Sequence, residues 1–146
     1  IPPIPAHLQH LLAYRQLRSE ALMMAIPTSE AQRKAKSHLA TYKDLPLILF
    51  PRKIAPALHD TILACFRDAG LTPRISQEAI QMQTIIALVS ANLGMALVPA
   101  SMSNLKRDGV TYLPLKSTSA ELEIGVAWRK DNSSPVLHAF LNQLHN

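Results

Sequence analysis

The strongest constraint on the fold is a set of short apolar runs, each of which ends at a proline. A strand that alternates in polarity buries one face, whereas a strand that is apolar throughout buries both faces. The runs cover residues 21–26, 45–50 and 95–98. They predict central strands of a sheet that is covered on both sides.

Between these runs, apolar residues recur at helical spacing. One stripe predicts a helix that ends at a left-handed Gly70, and a second predicts a helix closed by Gly94. The two stripes are Leu58, Ile62, Cys65, Phe66 and Ala69, and then Met82, Ile85, Ile86, Val89 and Leu93. Alternating strands and helices of this kind predict an α/β fold with a largely parallel sheet.

The remaining segments have weaker patterns. Residues 11–17 fit a short strand or a turn of helix, and the polar residues 28–44 predict a surface connection. Ser134 as N-cap and Pro135 as the first helical residue predict a last helix, expected to bury Leu137, Phe140, Leu141 and Leu144. Further short strands are predicted at residues 73–77, 110–113 and 122–128, and a helical turn at residues 102–106.

The composition is that of a globular protein, with 48% hydrophobic and 17% charged residues. The first residue is Ile1, so we expect a piece of a longer protein, and the opening residues do not resemble a signal peptide. No apolar run approaches the roughly 20 residues of a membrane-spanning helix, so no membrane partner is expected. The single cysteine, Cys65, fits a cytoplasmic protein and lies in a predicted buried stripe.

The net charge of +5 does not by itself indicate contact with nucleic acid. The basic residues are scattered, and only Arg33, Lys34 and Lys36 form a cluster, which is typical of a solvated loop. Aromatic residues make up 5% of the chain, too few for a stacking platform. We therefore expect no direct DNA contact by this chain.

Signatures of catalysis and of metal binding are missing from the sequence. The four glycines form no phosphate-binding loop, no dinucleotide fingerprint and no nucleophile elbow. His7 and His10 have a chelating spacing but no acidic or cysteine ligand nearby. We expect a binding module with no catalytic residue, no cofactor and no metal.

Two predicted strand-to-helix connections could bind an anionic ligand. Parallel α/β sheets bind ligands at the carboxyl ends of their strands, where helix N-termini offer free N–H groups. Residues 50–56 and residues 77–83 are such places, and Arg52 in the first could form a bidentate contact with a carboxylate. The alternative, that Arg52 only caps a surface loop, is equally compatible with the spacing.

Four motifs occur in an order that is similar to a known family. They are ILFPR at residues 48–52, FRDAGLTP at 66–73, QMQTIIALV at 81–89 and LGMALVPAS at 93–101. The segments RSEALMM at 18–24 and WRKD with SPVLHAF between residues 128 and 140 extend the likeness over nearly the whole chain. Together they resemble the effector-binding domain of LysR-type transcriptional regulators, nearest to the benzoate- and muconate-responsive branch.

The resemblance implies two Rossmann-like lobes as in type 2 periplasmic binding proteins, with the effector between them. Residues 20–122 would be a complete second lobe, and residues 1–19 and 123–146 parts of the first lobe. Arg18 and Glu20 match a second, buried effector site of the aromatic-acid responders, although an ion pair between the lobes is the alternative. Six further positions match the main effector site of the family, and Arg52 joins them from the argument on strand-to-helix connections. The predicted site residues are therefore Arg52, Pro56, Leu58, Gln81, Met82, Val98 and Pro99.

The implied function is sensing of a small organic acid, aromatic or dicarboxylic, by a cytoplasmic homo-oligomer. Some relatives have an aromatic residue where this chain has Leu58, so we expect an effector that is not held by ring stacking. DNA would be bound only through a helix-turn-helix outside this chain. The alternatives are a periplasmic solute-binding protein of a transporter and an enzyme on similar lobes, such as a prephenate dehydratase-like domain.

Overall fold

The computed structural model describes residues 4–34, 36–116 and 120–144. The chain forms two compact units, one of residues Ile1–Glu20 with Glu123–Asn146 and the other of Ala21–Leu122. Residues 1–3, 35, 117–119 and 145–146 of the predicted lobe segments lie outside the described residues. The strands are β1 (Leu12–Pro27), β2 (Leu47–Leu49), β3 (Ile75–Glu78), β4 (Ala96–Pro99), β5 (Val110–Pro114) and β6 (Glu121–Arg129). The helices are α1 (Thr28–Lys34), α2 (Pro56–Asp68), α3 (Met82–Ser90) and α4 (Pro135–Gln143).

The sheet of the second unit is mixed, so the prediction of a largely parallel sheet is wrong in part. β1 pairs antiparallel with β4, from Leu22 opposite Pro99, and antiparallel with β5. β2 pairs parallel with β3, and a parallel bridge joins Leu47 to Met95 just before β4. Burial on both faces was the basis of the prediction, but the last part of β1, from Met24 to Ile26, is buried on both faces and still pairs antiparallel. Two-sided burial therefore does not fix strand direction.

The apolar strands separate two hydrophobic cores, as their composition predicts. Neighbouring residues of one strand point into opposite cores, so that Met24 lies in the first core and Ala25 in the second. Helix α2 covers the first core with Ile62, Cys65 and Phe66. Helix α3 covers the second core with Ile85, Ile86 and Val89. The α/β layering is thus a direct result of these all-apolar strands.

Helix α2 ends as the sequence predicts. Gly70 has φ +70°, its N–H donates to the Arg67 carbonyl at 3.0 Å, and the Leu71 N–H donates to the Phe66 carbonyl at 2.9 Å. These two bonds form a Schellman motif, which requires a left-handed residue after the helix.

Helix α3 ends earlier than predicted, because Asn92 and not Gly94 takes the left-handed conformation. Asn92 has φ +65°, and the Leu93 N–H donates to the Leu88 carbonyl at 3.1 Å. Gly94 serves a different purpose, since a Cβ there would lie 2.5 Å from the carbonyl oxygen of Pro46. The glycine allows the chain entering β4 to pass close to the chain entering β2.

Two other predictions about surface and core need correction. Residues 28–44 are not only a surface connection, because they form α1 and bury Ala31, Leu39 and Tyr42 in the first core. Helix α4 buries only Leu141 of the four predicted residues, and Phe140 is 53% exposed. A pattern of apolar spacing shows which face of a helix is apolar but not how much of that face is covered.

Residues 12–17 belong to a strand, which resolves the alternative left open by the sequence. β1 continues without a break from Leu12 into the all-apolar run. The other short segments form as β3, β5 and β6 and as a 3-10 turn at Ala100–Asn104. In the first unit, Arg15 donates from Nη2 to the Leu141 carbonyl in the last turn of α4, where a positive charge is favourable.

Candidate functional site

The carboxyl ends of three strands lie at one edge of the second unit's sheet. The parallel register of β2 and β3 places Leu49 opposite Glu78, and the N–H of Ala79 donates to the Leu49 carbonyl at 3.2 Å. β4 runs in the same direction as β2, since Leu47 and Met95 form a parallel bridge. Helices α2 and α3 therefore both begin at this edge, which is where ligands of α/β sheets bind.

The loop between β2 and α2 is fixed by its own hydrogen bonds. The N–H groups of Ile54 and Ala55 donate to the Pro51 carbonyl at 3.0 and 3.2 Å. Nδ1 of His59, in the first turns of α2, lies 2.8 Å from the Phe50 carbonyl oxygen. Because a carbonyl only accepts, Nδ1 carries the proton. The loop is thus tied to the helix that follows it.

Among the described residues, no side chain caps the N-terminus of α2 or of α3. The N-cap residues Ala55 and Gln81 make no side-chain bond to the first turn. Pro56 is the first residue of α2 and has no N–H of its own. Uncapped first-turn N–H groups and the positive end of the helix dipole together favour an anion at both places.

Arg52 in the β2–α2 loop is paired with Asp60 of α2. Its Nε and Nη2 donate to the two carboxylate oxygens of Asp60 at 2.9 and 3.0 Å, a bidentate contact. The Arg52 guanidinium holds the pKa of Asp60 below its usual range, chiefly through this hydrogen bonding. Both side chains are largely exposed, at 66% for Arg52 and 53% for Asp60. Sequence reasoning missed Asp60, because only the turn of the loop brings it back to Arg52.

The other predicted site residues differ in exposure. Gln81 is exposed, whereas Pro56 and Pro99 are half-buried. Leu58 packs against the first core and Met82 against the second, each with part of its surface free. Val98 is fully buried in the second core, so its side chain supports the edge of the sheet from within.

Two exposed isoleucines at this edge were not predicted as site residues. Ile54 lies in the loop before α2 and is 56% exposed, and Ile80 lies before α3 and is 65% exposed. Exposed large aliphatic side chains beside uncapped helix N-termini add an apolar rim to an anion-favouring edge. Their signal in the sequence is a large aliphatic residue in each of the two connections predicted to bind a ligand.

Arg18 and Glu20 lie on β1 in the part that belongs to the first unit. Nη2 of Arg18 is 3.8 Å from a carboxylate oxygen of Glu20, with Arg18 66% exposed and the Glu20 side chain only 11% exposed. At this distance, Arg18 and Glu20 form a loose ion pair within the first unit.

Within the described residues, no group of three or more metal-ligating side chains is found. The helices of the described residues are also too short or too polar to cross a membrane. Cys65 is buried in α2.

Comparison with known proteins identifies relatives of the chain. Residues 3–146 match the model of the family described as LysR substrate binding domain. The HTH-type transcriptional regulator IlvR of Caulobacter vibrioides is 48% identical over 141 residues, which are 97% of this chain and 47% of the regulator. The chain thus spans about half the length of the curated relatives it matches.

Solved structures with the same fold are also regulators. Full-length CbnR complexed with its target DNA has a TM-score of 0.78 and 25% identity, covering 91% of this chain and 46% of that one. The BenM effector binding domain with its effector benzoate has a TM-score of 0.72 and 28% identity, covering 92% of this chain and 62% of that one. The neighbours' effector-binding domains have a fold like that of type 2 periplasmic binding proteins, and the same α/β fold is present here.

Proposed function

Because the chain belongs to the LysR substrate-binding domain family, we propose that it is the effector-sensing part of a LysR-family bacterial transcriptional regulator. It binds a small organic acid as its effector. Residues 20–122 form the second lobe, and residues 1–19 and 123–146 belong to the first lobe. The observation that supports this most directly is the sheet edge at which α2 and α3 both begin without a side-chain cap, with Arg52 in the loop that leads into α2.

The effector site is proposed at that edge. N–H groups in the first turns of α2 and α3 receive the carboxylate, and Arg52 adds a charged contact. Pro56, Leu58, Met82 and Pro99 bound the site, and Gln81 supplies a polar contact. Val98 supports the sheet edge from the core. The BenM domain, which binds benzoate, is a 28% identical neighbour and supports an organic acid as the class of effector.

Arg18 and Glu20 are proposed as an ion pair that steadies β1. Their separation of 3.8 Å and the exposure of Arg18 support that role over a second effector site. A loose ion pair with one exposed partner contributes about 0–1 kcal/mol to stability.

Regulation follows from the effector's preference for one arrangement of the lobes. A ligand shifts an equilibrium only by its difference in affinity for the two states, typically about 1–3 kcal/mol. In the whole regulator, a cytoplasmic homo-oligomer, this shift changes the geometry in which DNA is bound. DNA contact is made by a helix-turn-helix outside this chain, as the match to DNA-bound CbnR supports.

A thermal-unfolding screen tests the binding proposal. The chain is heated with aromatic and aliphatic carboxylates, among them benzoate and succinate, at constant ionic strength. Benzamide and succinamide are the matched neutral controls. A carboxylate at a hundredfold excess over its Kd stabilises the folded chain by about 2.7 kcal/mol. For a chain of this size that raises Tm by roughly 5 °C or more.

Two arginine variants test whether the carboxylate-dependent rise in Tm depends on Arg52. Arg129 forms the same kind of bidentate pair, with Asp131, in the first unit, at 3.0 and 2.7 Å. We expect Arg52→Ala to reduce the carboxylate-dependent shift and Arg129→Ala to leave it unchanged. A panel in which no carboxylate stabilises the chain, or one in which the two variants behave alike, contradicts the proposed site.

A further inference from the structure

Asp60 holds one edge of the Arg52 guanidinium and leaves the other edge open. The bonds from Nε and Nη2 to the two Asp60 oxygens, at 2.9 and 3.0 Å, form a closed fork on one side of the guanidinium. We propose that Asp60 is a positioning residue, which orients Arg52 so that its free edge receives the effector carboxylate. This inference rests on the proposed function, because it assigns Arg52 to the effector site.

The chemistry of the guanidinium supports a second carboxylate on Arg52. The group has five N–H donors in fixed directions, and Asp60 takes two of them. The remaining donors include one from Nη1 and one from Nη2 that are parallel and match the two oxygens of a carboxylate. Among the described residues, no other acceptor is seen on Arg52. One arginine can therefore bridge an internal and an external carboxylate.

The surroundings of the pair favour a role in positioning. Asp60 follows His59, and the two consecutive residues of α2 bind two different points of the loop, Phe50 and Arg52. The loop is also closed by the hydrogen bonds to Pro51. A rigid loop with a free arginine would still leave a long flexible side chain at the site. Asp60 removes that freedom before the effector arrives.

The negative charge of Asp60 also repels the effector carboxylate, and this repulsion weakens binding. Asp60 and the effector carboxylate lie on opposite edges of one guanidinium, and both are exposed to water, where repulsion is weak and screened by salt. The two effects therefore predict opposite signs for removal of the Asp60 charge, and we expect ordering to dominate.

Calorimetric titration separates these effects. The carboxylate from the screen that binds most tightly is titrated into the chain and into Asp60→Asn, Asp60→Glu, Arg52→Ala and Arg52→Lys. Asp131→Asn is the matched control, because it removes an equivalent bidentate pair in the first unit. We expect Asp60→Asn to raise Kd about threefold to tenfold, the size expected for ordering one long side chain. Arg52→Lys should behave nearly as Arg52→Ala, because an ammonium cannot bridge two carboxylates side by side.

Two further readouts distinguish positioning from a general structural effect. The NMR signal of the Arg52 Nε–H group should move in Asp60→Asn and return toward its original position in Asp60→Glu. The Kd of Asp60→Glu should likewise return toward that of the unsubstituted chain, because the carboxylate that orients Arg52 is restored.

The possible results separate the inference from the function it rests on. Loss of affinity in Arg52→Ala with unchanged or tighter binding in Asp60→Asn overturns the positioning role and keeps the effector site. Equal affinity in Arg52→Ala and the unsubstituted chain overturns both. An equal loss in Asp60→Asn and Asp131→Asn shows a nonspecific effect of charge and also overturns the role.

Discussion

Gly125 of β6 lies directly against the phenol of Tyr14 on the paired strand β1. A Cβ at position 125 would overlap the Tyr14 hydroxyl and lie 2.5 Å from the carbonyl oxygen of Arg15. Here the absence of a side chain, and not an unusual backbone angle, explains the glycine. The glycine lets the phenol of Tyr14 lie against strand β6.

Gly125→Ala should therefore destabilise the chain strongly. The added methyl meets backbone as well as side chain, so we expect a loss of about 3 kcal/mol in the free energy of unfolding, at the upper end for overpacking. Gly70→Ala is the matched control, because nothing lies within 4 Å of a Cβ there and only its φ of +70° is unfavourable. That change should cost about 1 kcal/mol. Urea unfolding measures both, and equal losses would argue against the packing of Tyr14 on Gly125.

Tyr14 should ionise only at very high pH. Burial of its hydroxyl and the adjacent Glu123 carboxylate raise the pKa of Tyr14 from 10.0 to about 12. The folded state thus favours the neutral phenol, and this contribution to stability is fully present below pH 10. It is lost as the pH rises from about 10 toward 12, because the unfolded chain ionises first. Tyrosinate absorbance should show a late step that Tyr14→Phe removes, and an early step in its place would refute this.

Tyr42 should tolerate loss of its hydroxyl. The side chain is fully buried in the first core, and its hydroxyl has no hydrogen-bond partner in the described part of the chain. An unpaired buried hydroxyl costs about 1–3 kcal/mol, so its removal is neutral or favourable. We expect Tyr42→Phe to unfold at the same or a higher urea concentration, with stability raised by up to about 1 kcal/mol. Tyr42→Leu, which also removes ring volume, should be destabilised, and a clear loss in Tyr42→Phe would indicate a partner for the hydroxyl.

The sequence predicts the layers of the fold better than the directions of its strands. Runs such as residues 95–98 show that a strand is buried on both faces, which the two cores confirm. Pairing partners depend on contacts distant in sequence, so the antiparallel position of β1 between β4 and β5 was not predictable from local pattern. The left-handed Asn92 was missed for a simpler reason, since Gly94 two residues later was the stronger signal.

In the candidate site, too, local sequence pattern predicts the segments but not the contacts between their side chains. The connections at residues 50–56 and 77–83 were predicted because each follows an expected strand and precedes an expected helix. The partner of Arg52 was not, because Asp60 reaches it only through the turn of the loop between them. The family resemblance assigns Val98 to the effector site, but the alternation of the strand turns its side chain into the core.

The most direct test of the account is an NMR titration of the chain with its tightest-binding carboxylate from the screen. Ala57 and Leu58 in α2, and Gln83 and Thr84 in α3, carry the first-turn N–H groups proposed to receive the anion. We expect their amide signals to shift most, together with the side-chain N–H of Arg52, and we expect the neutral amide of the same acid to shift none of them. Shifts confined to the first unit, with these amides unmoved at saturation, would contradict it.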